Sequence, residues 1–390
     1  MEKNKTNLNV PHLRFPEFSG EWENLSLNDI VLEKKKRVSS STLTTSTYIS
    51  TENMLQNFAG VSKANGVPSN NVVEYKIGDI LISNIRPYLK KIWLANQNGG
   101  CSSDIIVLSP CENYDGSFVY YLLANDGFVS YVMSGAKGLK MPRGDKQQIL
   151  KYGISIPSLK EQRKIAALLD LFDQHIETQK KIIEKYESLI RGLITYVNNG
   201  KVGRCEKVCL RELLIECHEK NSDNHEVCSV SVSHGVINQV DYLGRSFAAK
   251  EVLHYNVVNY GDIIYTKSPT GDFPYGIIKR SDIHKPVAVS PLYGVYRPIN
   301  DYIGRYLHLY FKSPINAKNY LHRLIQKGAK NTINITNQHF LNNKIQIPEP
   351  DVLEVFVHAA SEIEKKILAE NRALASFEKQ KNYLLSKMFI

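Results

Sequence analysis

Lysine and arginine gather in short stretches of this sequence rather than spreading evenly. Lys34, Lys35, Lys36 and Arg37 form one run. Arg86, Lys90 and Lys91 share SNIRPYLKK, and Lys137, Lys140, Arg143 and Lys146 share GAKGLKMPRGDK. Further on come Lys267, Lys279, Arg280, Arg323, Lys327 and Lys330. Cations grouped on loops suit a phosphate backbone, and short polar or amide side chains suit base edges. Ser83 and Asn84 beside Arg86, and Thr266 and Ser268 beside Lys267, supply that second kind. The whole chain carries 49 Lys and Arg against 39 Asp and Glu, a formal net charge of +10. That balance favours a polyanionic partner, because neutralised phosphates release counterions. Taken singly, each cation is matched by the plainer alternative of a solvated surface charge.

Catalytic signatures are missing. No Gly-rich dinucleotide turn, no GxxxxGK[ST] phosphate loop and no GxSxG elbow occurs. Cys205, Cys209, Cys217, His218, His225 and Cys228 crowd together in sequence without CxxC or HExxH spacing, so buried thiols are expected before a zinc site. Asp79 with Glu74, and Asp262 with Asp272, imitate a metal-binding acidic pair. Yet Asp79 and Asp262 each follow a glycine at the entry to an apolar run, where a turn explains them. The chain is expected to hold no metal and no cofactor.

What positions the basic loops is a duplication. YKIGDILIS recurs as VNYGDIIYT, with Gly78 and Gly261 183 residues apart, and LSLNDIV is echoed by VCLRELL at the same offset. SGAKGLK around Ala136 matches QKGAKNT around Ala329, and GISIPSL around Pro157 matches IQIPEPD around Pro348. Four matches in one order point to two copies of one scaffold. Residues 40 to 70 and 223 to 250 share little, so the copies keep a skeleton and vary their loops.

Each copy closes on a heptad pattern. Ile165, Leu169, Phe172, Ile176, Ile183, Tyr186, Ile190 and Leu193 form an apolar seam, with Gln179 in its skipped slot. Shifted by 191 residues, the seam reads Phe356, Ala360, Ile363, Ile367, Glu370, Leu374 and Phe377. The patterns predict two long helices, roughly 55 to 60 Å each, whose stripes pack on one another. Gln179 and Glu370 are equivalent, and they are expected to set the register.

The expected fold class is α+β. Two similar mixed α/β domains, residues 1–158 and 201–349, are separated by two antiparallel coiled-coil helices, 159–200 and 350–390, in a pseudo-two-fold repeat. The 390 residues and 43% apolar content suit two such domains. No stretch nears the roughly 18 apolar residues of a membrane span. The opening MEKNKTNLNV is polar, unlike a secretory signal, so a cytoplasmic protein is expected.

VPHLRFPEFSGEWE, the twice-used GDI strand, the IP hinge and a heptad helix closing each half resemble the specificity subunit of type I restriction-modification systems. The resemblance covers essentially the whole chain. It implies two target-recognition domains, each reading one half of a bipartite double-stranded DNA site, with the helices as a ruler for the unread spacer. It implies partners: two methyltransferase subunits and restriction/translocase subunits, which would hold S-adenosylmethionine, ATP and magnesium. Under it the DNA contacts are expected among Lys35, Lys36, Arg37, Ser83, Asn84, Arg86, Lys90, Lys91, Lys137, Lys140, Arg143, Thr266, Lys267, Ser268, Arg280, Lys327 and Lys330. Two other readings share part of this pattern: a stand-alone bipartite DNA-binding regulator, and a coiled-coil scaffold without a nucleic-acid role. Co-purification of a methyltransferase and a salt-sensitive DNA shift separate them. LRFPEF, with Pro11 and Pro16 around Leu13, Phe15 and Phe18, reads as an extended apolar strip that braces the first domain against the C-terminal helix, with plain core packing as the equal alternative.

Overall fold

The fold is taken from a computed structural model that describes residues 9–240, 251–327 and 333–390. The chain divides into two compact units. The first comprises Met1–Lys180 with Arg372–Ile390, and the second Lys181–Asn371. The divisions fall inside two long helices, Leu159–Asn198 and Pro350–Met388. Each unit thus owns a lobe and a stretch of both helices.

The first lobe is organised by an antiparallel sheet. Its strands lie side by side in the order Val31–Glu33, Ile105–Pro110, Ile80–Ser83, Ile92–Leu94. Glu23–Ser26 pairs with Gly153–Ile156 just before the first long helix. A second small sheet carries Val72–Tyr75 and Gly99–Cys101, with Tyr48–Ile49 running parallel to the latter. In the second lobe the same order returns as Leu214–Glu216, Gly294–Pro298, Ile263–Tyr265, Ile278–Arg280. There Cys205–Cys209 pairs with Lys344–Pro348 before the second long helix. The accessory strands differ, being Cys228–Ser231 with Gly235–Asn238, and Asn256–Val258 with Val287–Val289.

The repeated words have local causes. Gly78 and Gly261 sit at φ +86 and +89, where a side chain would be strained. Asp79 then accepts from the Lys76 amide at 2.7 Å, and Asp262 from the Asn259 amide at 2.8 Å, closing the turn. LSLNDIV and VCLRELL are single helical turns, Leu27–Ile30 and Leu210–Leu213. In each the third residue reaches back to the preceding amide, Asp29 to Ser26 at 2.7 Å and Glu212 to Cys209 at 3.1 Å. Close approach recurs as well. A Cβ on Gly116 or Gly304 would stand 3.5 Å from the carbonyl of Gly78 or Gly261.

The seams pack as heptads require. Ile165 and Leu169 are buried in the first lobe's core with Met388, flanked by Leu384 and Leu385. Phe172 and His175 both contact Phe377, and Lys381 pairs with Asp173 at 2.5 Å, so the segments run antiparallel within this unit. In the second unit Ile190, Ile194 and Val197 share a core with Leu353, Phe356 and Ala360, flanked by Ile363 and Ile367. Ile176, Ile183 and Leu374 are half-buried. Gln179 is buried in the first unit and Glu370 half-buried in the second.

LRFPEF braces the first unit. The Leu13 amide donates to the Lys387 carbonyl at 2.8 Å, Phe15 packs on the core, and Arg14 meets Glu161 at 2.8 Å. Among the described residues no helix is long and apolar enough to cross a membrane.

Candidate nucleic-acid interface

Strand Ile80–Ser83 ends at the first candidate cluster. Ser83 is buried, and its hydroxyl donates to the Ile85 carbonyl at 3.0 Å. The Asn84 amide donates to Asp104, and its carbonyl accepts from Gly144 at 3.0 Å. Its side-chain oxygen is buried without a partner. Arg86 and Lys90 take left-handed backbone, φ 51 and 55, on either side of the single turn Pro87–Leu89. Such conformations cost a non-glycine residue about 1 kcal/mol or more and persist where the surroundings over-determine them.

Those surroundings are the other basic loop. The Arg86 amide donates to the Pro142 carbonyl at 2.8 Å, and Ile85 bridges Arg143. Lys137 and Arg143 exchange both backbone bonds at 2.9 Å, closing the loop between them. SNIRPYLKK and GAKGLKMPRGDK, distant in sequence, therefore form one surface. Arg86, Lys137, Lys140 and Arg143 stand exposed on it. Asp104 orients Arg143 at 3.1 Å and Asp145 faces Lys137 at 3.6 Å; exposed pairs of this kind hold geometry more than stability. Glu33 joins the remaining run, meeting Lys146 at 3.2 Å and Lys35 at 3.4 Å. Lys36 pairs with Glu74, and Arg37 is exposed.

Some of the grouped cations have other employment. Lys34 is bound to the buried Asp79 carboxylate at 2.6 Å. Lys91 donates to the Thr51 carbonyl at 2.6 Å, and burial pulls its ammonium below the ordinary lysine value. Lys90 reaches Asp126 at 2.6 Å.

The second unit treats its set differently. Thr266 is buried, accepting from the Ile277 amide at 3.1 Å. Lys267 takes left-handed backbone at φ 60 and is half-buried, while Ser268 is exposed. Arg280 was expected at the surface, but it is 2% exposed. Asp282 and Asp301 hold its guanidinium, which lies 4.6 Å over the Tyr260 ring. It serves the fold and presents nothing to a phosphate. Lys279 is buried too, which pushes its ammonium down to about 8. The Lys327 side chain and Lys330 lie outside the described residues.

Three exposed side chains belong to the first surface although their types carry no charge. They are Tyr88, Leu139 and Met141, and the one sequence signal for them is their position between cations. Among the described residues no group of three His, Cys, Asp or Glu is placed to hold a metal ion. The Cys205 and Cys209 thiols point at the Val197 and Asn342 carbonyls.

Residues 19–188 match the model of the family described as "Type I restriction modification DNA specificity domain". This segment is therefore similar to the DNA specificity domain of type I restriction-modification systems. A stretch of 150 residues is 24% identical to the type I restriction enzyme EcoDI specificity subunit of Escherichia coli, covering 38% of this chain and 32% of that protein. The chain thus spans about a third of the curated relative's length. In fold the likeness extends further. The type I restriction-modification system S subunit from M. genitalium superposes with TM-score 0.62 at 14% identity, over 98% of this chain and 99% of that one. A structure concerned with complex assembly and conformational transition of the type I R-M system gives 0.51 at 15% identity, over 97% and 99%. These two structures therefore share the α+β architecture with long helices seen here.

Proposed function

We propose that this chain is the DNA-reading, non-catalytic subunit of a type I restriction-modification complex. Each unit reads one half of a bipartite double-stranded site, and the base pairs between the halves go unread. Two methyltransferase subunits dock on the chain, with restriction/translocase subunits joining them. S-adenosylmethionine, ATP and magnesium then belong to those partners.

One observation carries this reading. In the first unit two basic loops far apart in sequence are tied by backbone hydrogen bonds into a single exposed cationic surface, at the end of the GDI strand. The same sheet order recurs in the second unit, which leaves an equivalent position for a second reader. Divergent loops on a repeated scaffold are what two different half-sites require. Affinity resting on such cations falls steeply with salt.

The test is to map N6-methyladenine genome-wide in cells with and without this chain, and with residues 201–349 exchanged for those of a relative. The expected result is a bipartite methylated motif that vanishes with the chain and changes in one half only after the exchange. An unchanged methylome would overturn the proposal.

A further inference from the structure

The tip of the loop between Lys137 and Arg143 pairs two opposed chemistries. Leu139 is 104% exposed and Met141 50% exposed. Neither can contact a phosphate or hydrogen-bond a base edge. Around them stand Lys137, Lys140, Arg143 and Arg86, all exposed.

The tip is held, not loose. Pro142 and Gly144 at its base are buried, and the Lys137–Arg143 pairing closes it. A Cβ on Gly144 would meet the Asn84 side-chain oxygen and Val132 at 3.0 Å, so the loop is seated tightly on the lobe. Gly138 at φ 100 makes the reversal, and a Cβ there would stand 3.2 Å from the Met141 carbonyl. In the second half the matching stretch AKNTINIT is two residues shorter, so the feature is assigned to the first unit.

Apolar side chains on an anchored finger, ringed by cations, fit one way of handling a duplex. The cations take phosphates, and leucine or methionine enters between stacked bases and kinks the step. Resting on the DNA-reading role above, we infer that Leu139 with Met141 is an apolar wedge. It opens one base step in the half-site read by the first unit and bends the duplex there.

The experiment uses the full chain in its complex with methyltransferase subunits. The probes are duplexes of the mapped site with 2-aminopurine placed in turn at each position. Wild type should raise the emission at one step of one half-site. L139A/M141A should cut that rise at least five-fold and weaken binding about ten-fold, with tryptophan emission reporting an intact lobe. A base extruded by the methyltransferase brightens in both proteins and does not count. Binding without such a step, or an equal rise in the double variant, overturns the wedge and leaves DNA reading intact. Capture by anionic phospholipid vesicles that the variant alone loses, with equal duplex signals, makes the tip a membrane contact and overturns it too. Failure of the wild type to bind duplex removes both inferences.

Discussion

The two lobes share a sheet order but bury different chemistry against it. On the edge strand of the first lobe stand Ile92, Trp93 and Leu94, and on that of the second Ile278, Lys279 and Arg280. The registers are equivalent. Trp93 faces Leu81 as Lys279 faces Ile264, and Leu94 faces Ile80 as Arg280 faces Ile263. The helix behind follows suit. With Gly116 and Gly304 superposed, Tyr120 of the first lobe becomes His308, whose Nδ1 accepts from the Arg280 amide at 3.1 Å. What is common to the lobes is turns, caps and sheet order; the buried side chains can swap an indole for an ammonium. At this strand position the second lobe is therefore expected to depend on pH where the first does not. Both tryptophans, Trp22 and Trp93, lie in the first unit. Tryptophan emission thus follows that unit alone, and far-ultraviolet circular dichroism follows both.

The largest effect is expected at Lys279. Burial, aided by repulsion from Lys312, lowers its value in the fold to about 8 from 10.5. Between those limits the unfolded chain holds the proton that the folded chain has lost, so stability rises with pH from about 8 to about 10.5. Below pH 8 both states are charged, and the full penalty of burying the ammonium, about 3 kcal/mol, applies. K279M should raise the second unit's denaturation midpoint by about that free energy at pH 7 and flatten its alkaline slope. The tryptophan transition should not move. A slope that survives K279M would mean another group is responsible.

Arg280 sharpens the contrast between a cation kept for the fold and one offered to a ligand. Its two carboxylate partners are more than half exposed, so removing it leaves no buried anion behind. R280A is expected to cost about 2 kcal/mol, chiefly through the cavity and the lost Tyr260 contact. The loss should appear in the circular-dichroism transition alone, and the salt dependence of DNA affinity should stay put. A change in the salt slope would return Arg280 to the contact surface.

These differences show what the sequence makes legible. The GDI turns could be read because a glycine at positive φ and an acceptor one residue later are chemical necessities of that turn. The seams could be read because helical period and apolar type coincide over some forty residues; their positions are buried or half-buried from Ile165 to Phe377. Arg280 could not, because charge is a surface signal and nothing nearby in sequence marks Asp301 or Tyr260 as its partners. The joining of Arg86 to Pro142 was equally hidden. It rests on single backbone bonds between loops, which need no particular side chain at either end.

The smallest expected effect tests whether the repeated aspartates are equivalent. Both are buried, yet their cations come from different strands. Lys34, just past the edge strand Val31–Glu33, donates to both Asp79 carboxylate oxygens, at 2.8 and 2.6 Å. In the second lobe that position is Cys217, and Arg297, on the strand paired directly with the GDI strand, approaches Asp262 to 3.5 Å while staying half exposed. Burial outweighs this looser pairing and holds the Asp262 carboxyl above its ordinary range. A raised value means the folded state prefers the proton, so this group favours folding more as pH falls through that range and less as it rises. An amide keeps the turn acceptor and deletes the charge. D79N should therefore cost about 1 kcal/mol in the tryptophan transition, by stranding Lys34. D262N should leave the second unit unchanged or slightly firmer at neutral pH. Equal losses in the two variants would mean that the turn, not the cation, sets the worth of the aspartate in both lobes.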